Sequence, residues 1–412
     1  MLRRLTDAML RDRERLAELM TREQGKPLAE SRGEITYAAS FFEWASEEAK
    51  RVYGEMIPAS TVDKRILVLR QPVGVTASIT PWNFPAAMIA RKLGPALAAG
   101  CTMVIKPAEQ TPLSALAIGE LAAEAGIPAG VLNIITGDAP AIGGEIMSNA
   151  LVRKVSFTGS TEVGKILMKQ AAQNVTRLSL ELGGHAPLIV FDDADLESAV
   201  AGLIATKFRN AGQTCICANR VLVQRGVHAR FMQRLRDEVA KLRVGYGMDE
   251  GVQIGPLIDD AAVEKVRMHI DDAVRGGGTI VTGGRIARPR TGLTERFCEP
   301  TVIDGAVPSM LCFREETFGP VAPVMAFDTE EEAVRIANDS RFGLAAYFFT
   351  RDASRLIRVA EALEYGIVGA NDGAPSTAQA PFGGVKESGF GREGGKYVMD
   401  AYTEIKYVSW RV

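Results

Sequence analysis

From Val73 onward, short and largely apolar runs alternate with helix-length segments, and this alternation constrains the fold more than any other feature. Val73–Ile79, Cys101–Ile105, Val131–Ile135 and Val155–Phe157 read as strands. Ala86–Ala99, Pro112–Ala125 and Glu162–Ala172 read as helices, the first two closed by Gly100 and Gly126. Apolar strands joined through helices predict a parallel sheet with helices on both faces. A second set follows from Pro187. Its strands are Leu188–Phe191, Val221–Gln224, Val321–Phe327 and Tyr347–Phe349. Its helices start at Leu196 and run through Phe231–Leu242, Glu331–Ala337 and Ala353–Leu363. The Gly-rich stretches 276–278 and 383–395 read as loops. The fold class is therefore α/β, with two parallel-sheet lobes and a cleft between them, where open sheets place their ligands.

The first 70 residues do not follow this pattern. Leu2, Leu5, Met9, Leu16 and Met20 recur at helical spacing and predict one opening helix, stopped by Gly25 and Pro27. A second helical stretch lies near Glu34 to Arg51, and Gly54 to Arg70 ends in the β-rich run Ile66–Leu69. Asp7, Asp12, Glu14 and Glu18 argue against a targeting peptide, because transit peptides are poor in acids.

Charge and cysteine usage exclude several function classes. With 48 Lys+Arg against 50 Asp+Glu there is no general basic field for nucleic acid or anionic lipid. No apolar run approaches the ~18 residues of a membrane helix. Five scattered cysteines, an odd number, do not form a secreted disulfide framework and fit a reducing cytoplasm. The three histidines, His185, His228 and His269, form no zinc-binding pattern, so no metal site is expected.

Five segments carry residues with chemical potential. In Asn210-Ala-Gly-Gln-Thr-Cys215-Ile-Cys217, a Gly-containing turn after a helix offers an exposed, reactive thiol. Free cysteine is also among the most buried residue types, so locally a structural thiol is the commoner reading. Glu181, after an apolar strand and before Gly183-Gly184, is a candidate base or a solvated turn residue. Asn83, within Pro81-Trp-Asn-Phe-Pro85, is rigidly held and its amide is a candidate fixed donor, or the segment is a plain Pro-bounded turn. Gly159-Ser160 joins a strand to a helix, where N-terminal amides can meet a phosphate. Lys106 and Glu109 either bracket a ribose or form a surface ion pair.

Taken together, these segments resemble the NAD(P)-dependent aldehyde dehydrogenase superfamily. PWNFP (81–85), KPAE (106–109), FTGSTEVG (157–164), ELGG (181–184), GQTC (212–215), EETFGP (315–320) and PFGGVKESGFGRE (381–393) match the family's pattern in order along nearly the whole chain. FRNAGQTCIC and PWNFPAAMIARK are most similar to the succinate-semialdehyde and glutarate-semialdehyde dehydrogenases.

The resemblance implies a fold of two Rossmann-like lobes plus a small β oligomerisation element. It implies a cofactor-binding domain from 1–53 and 73–183, a catalytic domain over 184–387, and oligomerisation segments at 54–72 and 395–412. Cys215 is implied as nucleophile, Asn83 as oxyanion donor, Glu181 as the base for deacylation, and Lys92 and Glu393 as proton carriers. Trp82, Lys106, Glu109, Gly143, Gly159, Ser160, Leu182, Glu316 and Phe318 match cofactor positions. Arg91, Arg209 and Ser376 match positions that hold a substrate carboxylate distal to the aldehyde. A carboxylate at Glu109 repels a 2′-phosphate, so NAD is expected over NADP. Family members usually carry a further segment ahead of the opening helix, so the resemblance implies a chain shortened there. A homodimer or homotetramer is implied, without nucleic-acid or membrane partners. The competing expectations are an aldehyde dehydrogenase of other specificity, a thiol acyltransferase or hydrolase using a Cys–His pair, and an inactive scaffold.

Overall fold

The computed structural model describes residues 1–289 and 292–412. Its larger elements form two parallel-sheet lobes. The first lobe holds a six-stranded sheet in the order Gly389–Phe390, Arg177–Glu181, Val152–Thr158, Val75–Ile79, Thr102–Lys106, Leu132–Ile134. All of its pairings are parallel except that of Gly389–Phe390, whose Gly389 lies opposite Glu181. The second holds a seven-stranded sheet in the order Thr279–Thr282, Thr301–Asp304, Val321–Phe327, Ala218–Gln224, Ala186–Val190, Ala345–Phe349, Ile367–Ala370. Only Thr279–Thr282 runs antiparallel there. Every residue of Ala186–Val190 and of Ala345–Phe349 is buried, as strands covered on both faces require.

Register brings the candidate residues together. Ile79 lies opposite both Lys106 and Phe157, and Thr158 lies opposite Glu181. The loops that leave these strand ends, carrying Trp82–Asn83, Gly159–Ser160 and Leu182–Gly184, therefore emerge along one edge of the first sheet. The Leu182–Gly184 loop leads directly into Ala186–Val190, so Glu181 stands where one sheet hands over to the other.

Several expected elements differ. The single opening helix is two, Leu2–Arg11 and Arg13–Gln24, broken at Asp12. Asp12 takes φ −93, ψ 15 while Arg11 and Arg15 both bond its carboxylate. The apolar spacing runs through the break because Leu5, Met9, Leu16 and Met20 enter the same core. The next helix begins at Leu28, earlier than expected, directly after Pro27. The helices Ala139–Ser148 and Asp260–Arg275 were not anticipated, although Asp138 and Asp259 cap them through bonds from Ala141 and Ala262 amides. The Gly-rich stretch 383–395 carries the short strands Val385–Lys386 and Gly389–Phe390.

Phe342–Gly343 pairs antiparallel with Val385–Lys386, and the remaining strands, Glu55–Ile57, Lys64–Pro72 and Thr403–Arg411, form a separate antiparallel sheet. The last two pair along their full length, from Lys64 opposite Arg411 to Pro72 opposite Thr403. No helix among the described residues is long and apolar enough to cross a membrane.

Candidate active site

The loop before Cys215 is strained and tightly held. After the helix Leu196–Lys207, Asn210 and Ala211 adopt φ 51 and φ 53. A non-glycine residue in this region costs of order 1 kcal/mol or more unless its surroundings fix it. Here Asn210 is fixed on three sides. Its backbone N–H donates to Glu30 Oε2 (2.8 Å), its Nδ2 to the Asn83 carbonyl (3.0 Å), and its Oδ1 accepts from Gln24 Nε2 (3.0 Å). Gly212 follows at φ 76, where a Cβ would lie 2.2 Å from the Gly319 carbonyl, so only glycine fits. Beyond it, Cys215 is half-buried and Cys217 fully buried, with Sγ 3.5 Å from the Lys207 carbonyl. The two thiols thus differ in access.

Cys215 lies where two cavities meet. The first, about 300 Å³, is lined by Tyr37, Phe84, Met88 and Phe382 among apolar and aromatic residues. Arg91, Arg209 and Ser376, which are far apart in sequence, all line this same cavity. Arg91 is buried, its guanidinium 3.6 Å from the Phe382 ring centre, with Nε 2.8 Å from Glu393 Oε2 and Nη2 unpartnered. Arg209 Nε is also buried without a partner. Ser376 Oγ shares a 2.5 Å hydrogen bond with Tyr37 Oη. Burial pushes the Cys215 thiol up to about 12, opposed by the charges of Arg91 and Arg209.

Asn83 is buried beside the nucleophile loop, its Nδ2 donating to the Gln213 carbonyl at 3.0 Å. Glu181 is buried with neither carboxylate oxygen bonded, and burial together with the Glu393 charge raises its pKa well above the ordinary range. It is not among the residues lining either cavity. A Cβ on Gly383 would lie 2.9 Å from Glu181 Oε1, so glycine there leaves room for the carboxyl. Lys92 is fully buried, with Nζ 2.6 Å from Glu393 Oε1 and 2.5 Å from Thr158 Oγ1. Glu393 thereby joins Lys92 and Arg91, two residues assigned to different tasks from sequence.

The second cavity, about 380 Å³, is lined by Trp82, Asn83, Gly159, Ser160, Leu182, Glu316 and Phe318 together with Cys215. Trp82 and Phe318 meet edge to face at 5.6 Å. Glu316 accepts from the Gly184 N–H at 3.1 Å, and a Cβ on Gly183 would lie 3.0 Å from its other oxygen. Ser160 caps the helix Thr161–Ala171, accepting from Val163 N. Aromatic walls, a carboxyl acceptor and a capped helix N-terminus in one cleft suit a nicotinamide, its ribose and a pyrophosphate respectively. Lys106, Glu109 and Gly143 do not line this cavity. Lys106 is the last residue of Thr102–Lys106, Glu109 lies past that strand's end, and Gly143 is buried within Ala139–Ser148.

Sequence reasoning missed the contribution of the first helices. Glu30, Glu34 and Tyr37, on Leu28–Glu48, line the cavity that holds the arginines. Their charged and polar character reads as a solvated helix face, and no local motif marks them. The one available signal is the Gly25-Lys26-Pro27 turn that orients this helix.

A half-buried thiol between a semi-apolar pocket and an aromatic-walled cleft on two α/β lobes is the arrangement expected of an aldehyde-oxidising enzyme. The chain belongs to the aldehyde dehydrogenase family, whose description "Aldehyde dehydrogenase family" matches residues 1–408. It is 59% identical over 407 residues to succinate-semialdehyde dehydrogenase [NADP(+)] GabD of Escherichia coli (strain K12), covering 99% of this chain and 84% of that protein. It is 58% identical over 407 residues to glutarate-semialdehyde dehydrogenase of Pseudomonas putida, covering 99% and 84%. Among solved structures, an aldehyde dehydrogenase from Brucella melitensis biovar abortus 2308 superposes with TM-score 0.97 at 59% identity, covering 100% of this chain and 84% of that one. An E. coli NADP dependent enzyme superposes with TM-score 0.97 at 58% identity, covering 100% and 85%.

These relatives correct one expectation. Glu109 predicts NAD over NADP, yet the E. coli relative is named for NADP(+) and the E. coli structure is that of an NADP dependent enzyme. The structure supplies a physical reason why Glu109 misleads. Lys106 Nζ sits 2.5 Å from its carboxylate, and Glu109 is half exposed. Its charge is compensated and its side chain borders water, so it is not a fixed anion set against a 2′-phosphate.

Proposed function

We propose that this enzyme oxidises succinate semialdehyde or glutarate semialdehyde to the dicarboxylate, with NADP(+) as the hydride acceptor. One observation carries the substrate class: Arg91, Arg209 and Ser376 converge on the cavity that Cys215 shares. Two guanidinium groups with unpartnered buried nitrogens in a semi-apolar pocket call for an anion, and their planar fork suits a carboxylate. The relatives' names support the same class.

In this mechanism Cys215 Sγ, once deprotonated, adds to the aldehyde carbon. Asn83 Nδ2 and the Cys215 backbone N–H hold the resulting oxyanion. When bound against Trp82, Glu316 and Phe318, the dinucleotide supplies the hydride acceptor that lets the thiohemiacetal become a thioester. Glu181 then takes a proton from the water that hydrolyses the thioester. Its raised pKa sets the direction of the pH effect: the ionised, basic form gains population as pH rises. Lys92 and Glu393, a buried pair whose charges act on Glu181, would carry that proton onward. None of the three histidines is among the residues lining either cavity, which disfavours a Cys–His hydrolase. Five free thiols support a reducing, cytoplasmic setting. The antiparallel sheet is proposed to join copies of the chain into a homodimer or homotetramer.

Arg209→Ala tests the substrate assignment most cleanly, because Arg91→Ala would also leave Glu393 Oε2 without its ion-pair partner. Losing a charged contact in a desolvated pocket costs roughly 2–5 kcal/mol. The variant should lose kcat/KM on succinate semialdehyde by that measure and far less on butanal. Equal losses on both aldehydes would reduce Arg209 to a structural role and leave an aldehyde dehydrogenase of other specificity.

A further inference from the structure

The turn between Arg13–Gln24 and Leu28–Glu48 is clamped from outside its own lobe. Gly25, at φ 98, closes the first helix, and a Cβ there would lie 2.7 Å from Pro256 Cγ. A Cβ on Gly255 would lie 2.3 Å from the Gly25 carbonyl, and one on Gly247 would lie 2.5 Å from the Lys26 carbonyl. Leu28 N–H donates to the Gly247 carbonyl at 2.8 Å. The Pro256 ring presses on Gly25, and the backbone at Gly247 and Gly255 presses on that of Gly25 and Lys26, so the position of Lys26 is set firmly.

From this turn the Lys26 side chain runs fully buried to the oxyanion loop. Its ammonium has three N–H groups and three acceptors. Nζ lies 2.5 Å from Glu34 Oε2, donates to the Asn83 carbonyl at 2.7 Å, and stands 4.0 Å above the Phe84 ring centre. Glu34 uses its other oxygen on the amides of Ala86 (2.9 Å) and Ala87 (3.1 Å). The helix Ala87–Ala99 has no side-chain cap of its own at Ala86, so Glu34 serves as a remote one. The Asn83 carbonyl also accepts from Asn210 Nδ2. The 83–84 peptide is therefore held by Lys26 on one side and by the nucleophile loop on the other.

We propose that Lys26 is a positioning residue: it fixes the 83–84 peptide, and through it the direction of the Asn83 amide toward the oxyanion. A buried ion pair is seldom retained for stability alone, because apolar residues of similar volume often serve as well. Here the ammonium does what an apolar residue cannot, donating to a carbonyl while neutralising the carboxylate that caps the next helix. Without it the peptide keeps only the Asn210 contact, and the Asn83 side chain keeps its own bond to the Gln213 carbonyl but loses the fixed backbone that aims it.

This inference rests on the proposed role of Asn83, and a double-mutant cycle separates the two. Lys26→Met, Asn83→Ala and the combination are compared in kcat and KM for succinate semialdehyde at saturating NADP(+). Lys26→Met should lower kcat by about 10-fold or more with little change in KM, since oxyanion contacts form only in the transition state. In the combined variant the loss should stay within about 3-fold of Asn83→Ala alone, because residues acting through one contact are non-additive. Lys26→Arg should restore part of the rate. Alkylation of Cys215 by iodoacetamide, which forms no oxyanion, should change by less than about 3-fold. Losses that multiply, or alkylation that falls with turnover, would overturn the positioning role and leave Lys26 a general structural residue. An Asn83→Ala variant of normal rate would instead overturn the oxyanion assignment, and this inference with it. If Lys26→Met does not fold, the cycle is run with Lys26→Met/Glu34→Gln, which removes both buried charges together, and the same outcomes decide.

Discussion

Glu30 lines the same cavity as Arg91 and Arg209 and accepts a hydrogen bond from the Asn210 amide. Burial pushes its pKa up to about 7, against the pull of Lys26 and Arg209. Below that pH the group is neutral, and above it a carboxylate faces the site proposed for the substrate's own carboxylate. KM for succinate semialdehyde should therefore rise as pH climbs through about 7. Glu30→Gln keeps the acceptor oxygen for Asn210 and should flatten that rise, while butanal should show little of it in either enzyme. A KM that tracks pH equally in Glu30→Gln would assign the effect to another group. Single residues also show where sequence reading stops. The GQTC motif singles out Cys215, but only packing shows that it is half-buried while Cys217 is buried. Arg91 was marked for the substrate alone, yet its Nε is committed to Glu393. Motifs locate a side chain along the chain but leave open how its several nitrogens are shared.

At the scale of elements, most central strands and several helices of both lobes were legible because each buries a continuous apolar run or one apolar face, whereas Thr279–Thr282, Thr301–Asp304 and Ile367–Ala370 went unread. Val321–Phe327 has the bounds its composition predicts, and Ala353–Ala362 ends one residue from expectation. The opening helices were less legible, since the break at Asp12 leaves the apolar spacing unchanged. Val152–Thr158 was recognised only at Val155–Phe157, because Lys154 interrupts its apolar run. That lysine is buried, with Nζ 2.6 Å from Ser179 Oγ and 4.9 Å from the Tyr402 ring centre. Burial lowers its pKa from the ordinary 10.5 to about 7. Between those values the unfolded chain binds a proton that the folded chain does not, so stability rises with pH across the window and is lost as pH falls toward about 7. In urea unfolding, Lys154→Met should be more stable than the parent at pH 6. Its advantage should shrink by roughly 3 kcal/mol by pH 9. A constant difference across that range would mean that Lys154 keeps its charge in the fold.

The whole molecule carries one sheet that its own lobes do not cover. In Lys64–Pro72 paired with Thr403–Arg411, Val68 lies opposite Tyr407 and Arg70 opposite Ile405, while Leu67 lies opposite Val408 and Arg65 opposite Trp410. Because strand side chains alternate, Ile66, Val68, Ile405 and Tyr407 share one face and Leu67, Leu69, Val408 and Trp410 share the other. Both faces thus carry apolar residues among charged ones, and Ile405, Tyr407 and Trp410 are 66%, 62% and 57% exposed. An antiparallel sheet in water normally shows one apolar and one polar face, and a contiguous apolar surface on a soluble chain marks an interaction site. The outer edge of Thr403–Arg411 adds unpaired backbone groups that can extend another sheet. The partner that fits both features is a second copy of the chain, whose sheet would present the same surfaces. Light scattering should give two or four times the chain mass, and Tyr407→Lys with Trp410→Lys should shift it toward the monomer. The site's two cavities are lined by residues outside this sheet, so Cys215 in that monomer should still react with iodoacetamide. A parent protein that scatters as a monomer at micromolar concentration would exclude the sheet as an assembly surface.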